Sequence, residues 1–361
     1  MGTQTSGQDA TTLDEAMTAP TVHRRAQRPD RRVPVVVVGP MVALALMTLV
    51  GCGGNDEEGR GGPGVPAAPL EVVGLEIVYA SANGEDEFHL WLMRADGTDP
   101  VQLTDGDGVE ATAAWSPDGT LVAFAASDDP EGEFDLWLVG ADGTGLRQLT
   151  DTDDRSEASP SWSPDADRLV YSENTLDDEG AAIRILEIDA PDGGAVTVVD
   201  RGDWPSWAPD GRSILYTGDA GGGVGQLFTV SVDGGEPTML ELDGSATDLP
   251  ASAYEAAWSP DGTRIAFVAS SGDGGSEDPV EWNEDIWVAD ADGTGARKVV
   301  SSPGNDHWMP TWSADGQHLM YSADGTENEG EIARVDVDTG EVTVLTENDR
   351  HDMMPSWRPE K

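Results

Sequence analysis

One short phrase recurs along the chain and limits what it can fold into. Trp-Ser-Pro-Asp-Gly, or a near copy, appears at Trp115, Trp162, Trp207, Trp258, Trp312 and Trp357, at spacings of 47, 45, 51, 54 and 45 residues. Self-similarity at such a period marks a repeat architecture, in which each unit is one supersecondary element that needs its neighbours to bury its faces. The repeated phrase is itself a turn. Pro presets φ at the second position, Asp suits the third, and Gly takes the fourth position of a type I turn.

Around that turn each unit reads as four strands. A short apolar run follows each of the first five copies: Leu121–Phe124, Leu169–Tyr171, Ile214–Tyr216, Ile265–Phe267 and Leu319–Tyr321. Such runs suit strands covered on both faces. An acidic loop comes next, then a further strand, as in Asp135–Val139 or Asp285–Ala289. An Asp-Gly or Asp-Thr-Gly hairpin turn ends it, at Asp142-Gly143, Asp192-Gly193, Asp233-Gly234, Asp292-Gly293 and Asp338-Thr339-Gly340. A short last strand, such as Leu146–Thr150, closes the unit.

The two ends of the array are defective in complementary ways. The first unit begins at Leu75–Tyr79 with no Trp strand before it, and the chain finishes on an orphan Trp strand, Met354–Trp357. Pairing Met354–Trp357 with Ile77–Tyr79 completes a sixth four-stranded unit and shuts the array into a ring. Closure removes the exposed edges an open stack would present. The expectation is an all-β, six-bladed β-propeller of four-stranded antiparallel blades, closed by the C-terminal strand on the first blade.

The pattern resembles the WD40-like (PD40) repeat of the TolB family of propellers, over residues 71–361. Departures are Ala166 for Gly, Ala208 for Ser, Ala314 for Pro, and Arg358 with Glu360 in the last copy. The resemblance implies that the Trp strands are innermost, beside a central channel, and that the task is protein–protein contact at the cell envelope through the channel mouth or a blade face. Trp115, Trp162, Trp207, Trp258, Trp312 and Trp357 are expected to be structural, packing between blades.

The N-terminus reads as an address. Residues 1–32 carry five Arg, and Val33–Val50 is uncharged. A basic region, an apolar region and small residues before a cut make a secretory signal. Leu49-Val50-Gly51-Cys52 resembles the lipobox of bacterial lipoproteins, which implies diacylglycerol on Cys52 and cleavage that makes Cys52 the first mature residue. The competing reading is an uncleaved membrane anchor of borderline length. The domain expectation is therefore a signal peptide over 1–51, a lipid-anchored flexible linker over 52–70, and a propeller over 71–361. The address is extracytoplasmic, with attachment to the membrane through the lipid.

Charge narrows the partners. The chain of 361 residues has 69 Asp and Glu against 20 Lys and Arg, for a net charge of −49. Nucleic-acid binding needs clustered basic residues and is excluded. The single cysteine excludes a disulfide scaffold and a cysteine zinc site. A monomer is expected, with an envelope protein or a basic peptide as partner.

Catalytic patterns are lacking: no HExxH, GxSxG or GxxxxGK[ST] occurs. Asp290-Ala291-Asp292-Gly293 resembles half of a calcium loop, but Arg297-Lys298 follows where a bidentate acid is needed, so it reads as a hairpin turn. No metal or other cofactor is expected. Each unit does offer one ionisable residue three to six positions before its Trp: Glu110, Glu157, Asp203, Glu255, His307 and His351. In a ring these would form a mainly anionic collar at one channel mouth, for a cation or a basic peptide. The competing reading is six solvated loop residues. Some propellers of this repeat type precede a serine hydrolase domain, for which no segment of this chain is left, and some six-bladed rings are lyases. An extracytoplasmic hydrolase or lyase acting on peptide or carbohydrate at the channel mouth, using these acids and the two His, is the alternative to a non-catalytic scaffold.

Overall fold

The computed structural model describes residues 62–359, apart from 83–86, 130–131, 153, 176–179, 190–193, 222–224, 244–249, 251, 271–283, 302–304 and 325–329. The signal segment, Cys52, the Asp192-Gly193 turn and parts of the acidic loops lie outside the described residues. The described residues form 24 strands and no helix.

These strands make six four-stranded antiparallel sheets. Blade 2 shows the plan: β4 (Val109–Trp115), β5 (Leu121–Ser127), β6 (Asp135–Gly140) and β7 (Arg147–Gln148), in that order from the axis outward. The innermost strands of blades 3 to 6 are β8 (Arg155–Trp162), β12 (Asp203–Trp207), β16 (Ser252–Trp258) and β20 (His307–Trp312). The second strands are the most apolar because both faces are covered: β5 buries Val122 through Ser127, and β17 (Arg264–Ser270) buries Ile265 through Ser270.

The ring closes as the end defects require. Strand β24 (His351–Trp357) pairs antiparallel with β1 (Ile77–Ala82), with Ile77 opposite Trp357 and Val78 opposite Ser356. Strands β2 (Phe88–Met93) and β3 (Val101–Gln102) complete blade 1. The innermost strands touch one another in sequence around the axis, β24 to β4, β8, β12, β16, β20 and back to β24.

The repeated turn works as its chemistry dictates. Gly119 N–H donates to Ser116 O at 2.8 Å, and Gly119 sits at φ 65°. Ala166 keeps the same turn, with its N–H on Ser163 O at 2.9 Å and φ 61°, so the departure costs backbone strain and not the turn. The Ser of the motif is a staple: Ser116, Ser163, Ser259 and Ser313 each accept the N–H five residues on, at 2.9–3.0 Å. At Asp292 the hairpin reading holds, since its Oδ1 accepts Thr294 N–H and Oγ1–H and Gly293 is left-handed.

Neighbouring blades are joined by the motif tryptophans and by scarce arginines. Trp162 Nε1–H donates to Ala114 O at 3.0 Å, and Trp312 Nε1–H to Ala257 O at 3.1 Å, each reaching the blade before its own. Arg168, Arg264 and Arg358 lie 4.9, 4.7 and 4.8 Å from the ring centres of Trp207, Trp312 and Trp115. Arg358, which replaces the motif Ser in the last copy, also donates to Gly119 O of blade 2 and to Leu75 O at the start of blade 1. It therefore clasps the seam where the ring closes.

Residues 62–70 depart from the tether expectation. Gly64 O accepts Asp105 N–H at 3.2 Å, Leu70 N–H donates to Asp142 O at 2.8 Å, and Val65 and Leu70 pack on the apolar core. The Gly- and Pro-rich composition hid this, because two apolar side chains are enough to lay the segment between blades 1 and 2.

Candidate functional site: an axial cavity ringed by left-handed residues

All six innermost strands carry the same irregularity. Each has a register shift just before its Trp, between Ala111 and Ala114, Ala158 and Ser161, Asp203 and Ser206, Tyr254 and Ala257, and Trp308 and Thr311, with the equivalent shift in β24 against β1. In every case the residue three before the Trp is left-handed: Thr112 at φ 49°, Ser159 at 54°, Trp204 at 52°, Glu255 at 50°, Met309 at 53° and Met354 at 56°. None is glycine. A left-handed side-chain-bearing residue costs about 1–2 kcal/mol, so six in a ring is a substantial destabilisation.

These six residues line a cavity of about 540 Å³ on the axis. Its wall runs from the turn prolines, such as Pro117, Pro209 and Pro260, past the motif tryptophans to the bulge residues. The bulge leaves an amide without a ladder partner, and a side chain of the preceding blade meets it in five cases. Thr112 N–H donates to Met354 Sδ, Ser159 N–H to Thr112 Oγ1, Trp204 N–H to Ser172 Oγ, Met309 N–H to Glu255 Oε2 and Met354 N–H to Ser322 Oγ.

The expected collar does not form as one solvent-facing ring. Glu110 is buried between blades, where its Oε2 accepts Thr104 Oγ1–H at 2.8 Å and lies 3.0 Å from His89 Nδ1. Burial pushes its carboxyl up, and the bonds to His89 and Thr104 oppose the shift. Glu157 is buried the same way and accepts the Thr150 and Thr152 hydroxyls at 3.2 and 2.9 Å. Burial raises it to about 8, against the pull of those hydroxyls. Asp203 is buried, raised by burial, and holds Trp204 N–H at 2.8 Å. His307 is buried, with Nδ1 2.9 Å from Glu284 O and its ring edge-on to Tyr321. His351 is half-buried, accepts Gly330 N–H at 3.3 Å, and is lowered by burial.

Glu255 alone of the six lines the cavity. Burial raises its carboxyl to about 8, the Glu284 charge adds to this, and Met309 N–H opposes it. Glu284 in turn accepts bonds from Tyr254 OH and Trp308 Nε1–H, and burial and the Glu284 charge push the Tyr254 hydroxyl up. Among the described residues no group of three His, Cys, Asp or Glu is placed to hold a metal ion.

A ring of six four-stranded blades around an axial cavity defines a six-bladed β-propeller. The family described as the TolB beta propeller domain matches residues 73–254, half of the chain, and the chain belongs to that family. It is 29% identical over 205 residues, 48% of its length, to a protein of Bacillus subtilis (strain 168) named "Uncharacterized peptidase YuxL", covering 30% of that protein. It is 36% identical over 113 residues, 30% of its length, to "Tol-Pal system protein TolB" of Anaeromyxobacter dehalogenans (strain 2CP-C), covering 21% of that protein. The chain thus spans less than a third of either relative. The crystal structure of TolB from Acinetobacter baumannii superposes with a TM-score of 0.65 at 19% identity, over 79% of this chain and 67% of that one. At that identity the likeness is one of fold.

Proposed function

We propose that this protein is an exported lipoprotein, anchored through Cys52, whose propeller is a non-catalytic protein-binding module at the cell envelope. One observation carries the reading. The axial cavity offers a partner a wall of proline, tryptophan, methionine, alanine and hydroxyl side chains, with Glu255 as the one ionisable group among the described residues that line it, where acid–base or activated-nucleophile chemistry needs two or three convergent titratable groups. The relative named as a Tol-Pal system protein supports an envelope role, and a fold by itself fixes none. The apolar stretch before Cys52 and the small residues at its end support export. A strongly acidic body is repelled by anionic lipid, so an acyl anchor is a sensible attachment.

Affinity capture from native envelopes tests the reading. A stoichiometric protein partner, lost when Trp204→Ala reshapes the cavity, is the expected result. Globomycin-sensitive processing at Cys52 is the expected mark of lipidation, and retention of residues 1–51 in the mature protein contradicts it.

A second reading is favoured by the match to a protein named as a peptidase. On that reading the propeller hydrolyses an extracytoplasmic peptide. Turnover of a peptide library that dies with His307→Ala or His351→Ala supports it, and binding without turnover counts against it.

A further inference from the structure

Strained backbone persists where surrounding structure enforces it, and it concentrates at working sites. Here six strained residues of five types line one axial cavity, and only one of them is ionisable. We propose that the floor of the cavity receives the ammonium or guanidinium group of a basic segment of a partner protein, with Glu255 as counter-charge and Trp204, Met309 and Met354 as the surrounding wall. This rests on the protein-binding reading above and names the chemistry that site recognises.

Glu255 is only 7% exposed, yet it borders the cavity. Its Oε2 accepts Met309 N–H at 2.8 Å, and Oε1 takes no hydrogen bond among the described residues. No cation among the described residues neutralises it. The charges that act on it, Glu284 on β18 (Glu284–Asp290) and Asp203 on β12, are both acidic, and Tyr254 beside it on β16 is a hydroxyl already turned to Glu284. A buried carboxyl without a counter-charge ionises only at a cost, and an incoming cation offsets that cost.

The wall selects the kind of cation. A tryptophan face and two thioethers are soft, polarisable surfaces that suit an organic cation better than a hard metal ion, which needs several oxygen ligands. From Trp115 to Thr112 the strand alone gives a depth of roughly 10 Å, since a strand rises about 3.3 Å per residue, and the turn carrying Pro117 adds the rim. That exceeds one side chain, so an extended backbone enters past the proline rim and presents its basic group at the floor. The net charge of −49 draws basic segments in and repels acidic ones.

Protons balance simply. The Glu255 carboxyl, held protonated near neutrality by burial, passes its proton to solvent as the protonated ligand group arrives, and a carboxylate–cation pair forms. Affinity therefore rises with pH between about 6 and 9, and a proton is released near pH 7.

Titration calorimetry of the mature protein tests this with three probes: n-butylammonium, the tetrapeptide Ala-Lys-Pro-Ala, and the same tetrapeptide carrying ε-acetyl-lysine. The lysine peptide is expected to bind at least about tenfold more tightly than its acetylated form, and Glu255→Gln to weaken it by at least about tenfold, as loss of a charge-assisted pair requires. Gln keeps an oxygen for Met309 N–H, so the fold is spared. Equal binding of the acetylated peptide, or an unchanged affinity in Glu255→Gln, overturns the proposal. Should that variant misfold, the proton count decides: wild type titrated near pH 7 in two buffers of different ionisation enthalpy must release a proton, and no release overturns it. Butylammonium binding as tightly as the peptide assigns the site to small amines and overturns the peptide assignment. Envelope capture separates this from the broader reading. A partner captured equally by wild type and Glu255→Gln removes the cation site and leaves a protein-binding propeller. Peptide binding with no captured partner removes the envelope module and leaves the cation site.

Discussion

Glu255 makes stability depend on pH in a direction opposite to that of a salt-bridged carboxylate. Its folded pKa is raised from 4.5 to about 8, so its contribution is fully present below the unfolded pKa and is lost as pH rises toward 8. A tenfold change in proton affinity is worth about 1.4 kcal/mol, and the interval from about pH 5.5 to pH 8 captures about 3 kcal/mol for this one buried group. Glu157 is raised to about 8 as well, and Glu110 and Asp203 move in the same direction. The protein should therefore be more stable at the lower of these two pH values. Glu255→Gln, which cannot ionise, should flatten that dependence by on the order of 3 kcal/mol. The assay is urea unfolding of both proteins at the two pH values and constant ionic strength, because guanidinium would screen the charge being studied. A wild type that gains stability on going to the higher pH, or a variant with the same pH dependence as wild type, refutes the argument.

Other outcomes follow from single contacts. Arg358→Ala removes the carbonyl bonds to Gly119 and Leu75 and the stacking on Trp115, and should cost about 2–3 kcal/mol in urea unfolding, with Arg358→Lys recovering only part. Ala208→Ser restores the staple that four other copies possess, and should raise stability by about 1 kcal/mol. Ala166→Gly relieves a left-handed alanine at φ 61° and should gain about 0.5 kcal/mol after the unfolded chain's added freedom is counted. With a net charge of −49, the melting temperature should rise clearly between about 0.1 M and 1 M salt, where the screening length falls from roughly 10 to 3 Å; a flat response counts against charge repulsion as a destabilising force.

The fold was legible because its signals are chemical and local. Trp-Ser-Pro-Asp-Gly is a turn with a mechanism, its spacing sets the unit, and the unpaired Ile77 and Trp357 segments complete each other. The site was only partly legible. Counting back three to six positions from each Trp does not say which face a residue occupies, and the shared bulge, which inserts one residue, decides which position is turned to the axis. Residues counted into the mouth, such as Glu110 and Glu157, thus sit between blades, while the lining position holds Thr112, Ser159, Trp204, Glu255, Met309 and Met354. Those six share a backbone conformation but not one side-chain type, so no motif marks them. The recurrence of a position three before every Trp was the available signal, and its unlike occupants concealed it. Arg358 was visible as a departure from the motif, but its grip on Gly119 needs the closed ring to bring blade 2 beside the tail.

Ring closure is the claim on which the cavity, its six-residue floor and the Arg358 clasp all depend, and a cross-link across the seam tests it most directly. Val78 and Ser356 are register partners in β1 and β24, and paired antiparallel Cα atoms lie about 4.5–5.5 Å apart, inside the range a disulfide spans. The mature chain carrying Val78→Cys and Ser356→Cys, with Cys52→Ser to leave no other thiol, should form one intramolecular disulfide on mild oxidation, seen as a loss of about two mass units and of both free thiols. Thiols that stay free in the folded protein, or that link only between molecules, contradict the closed ring.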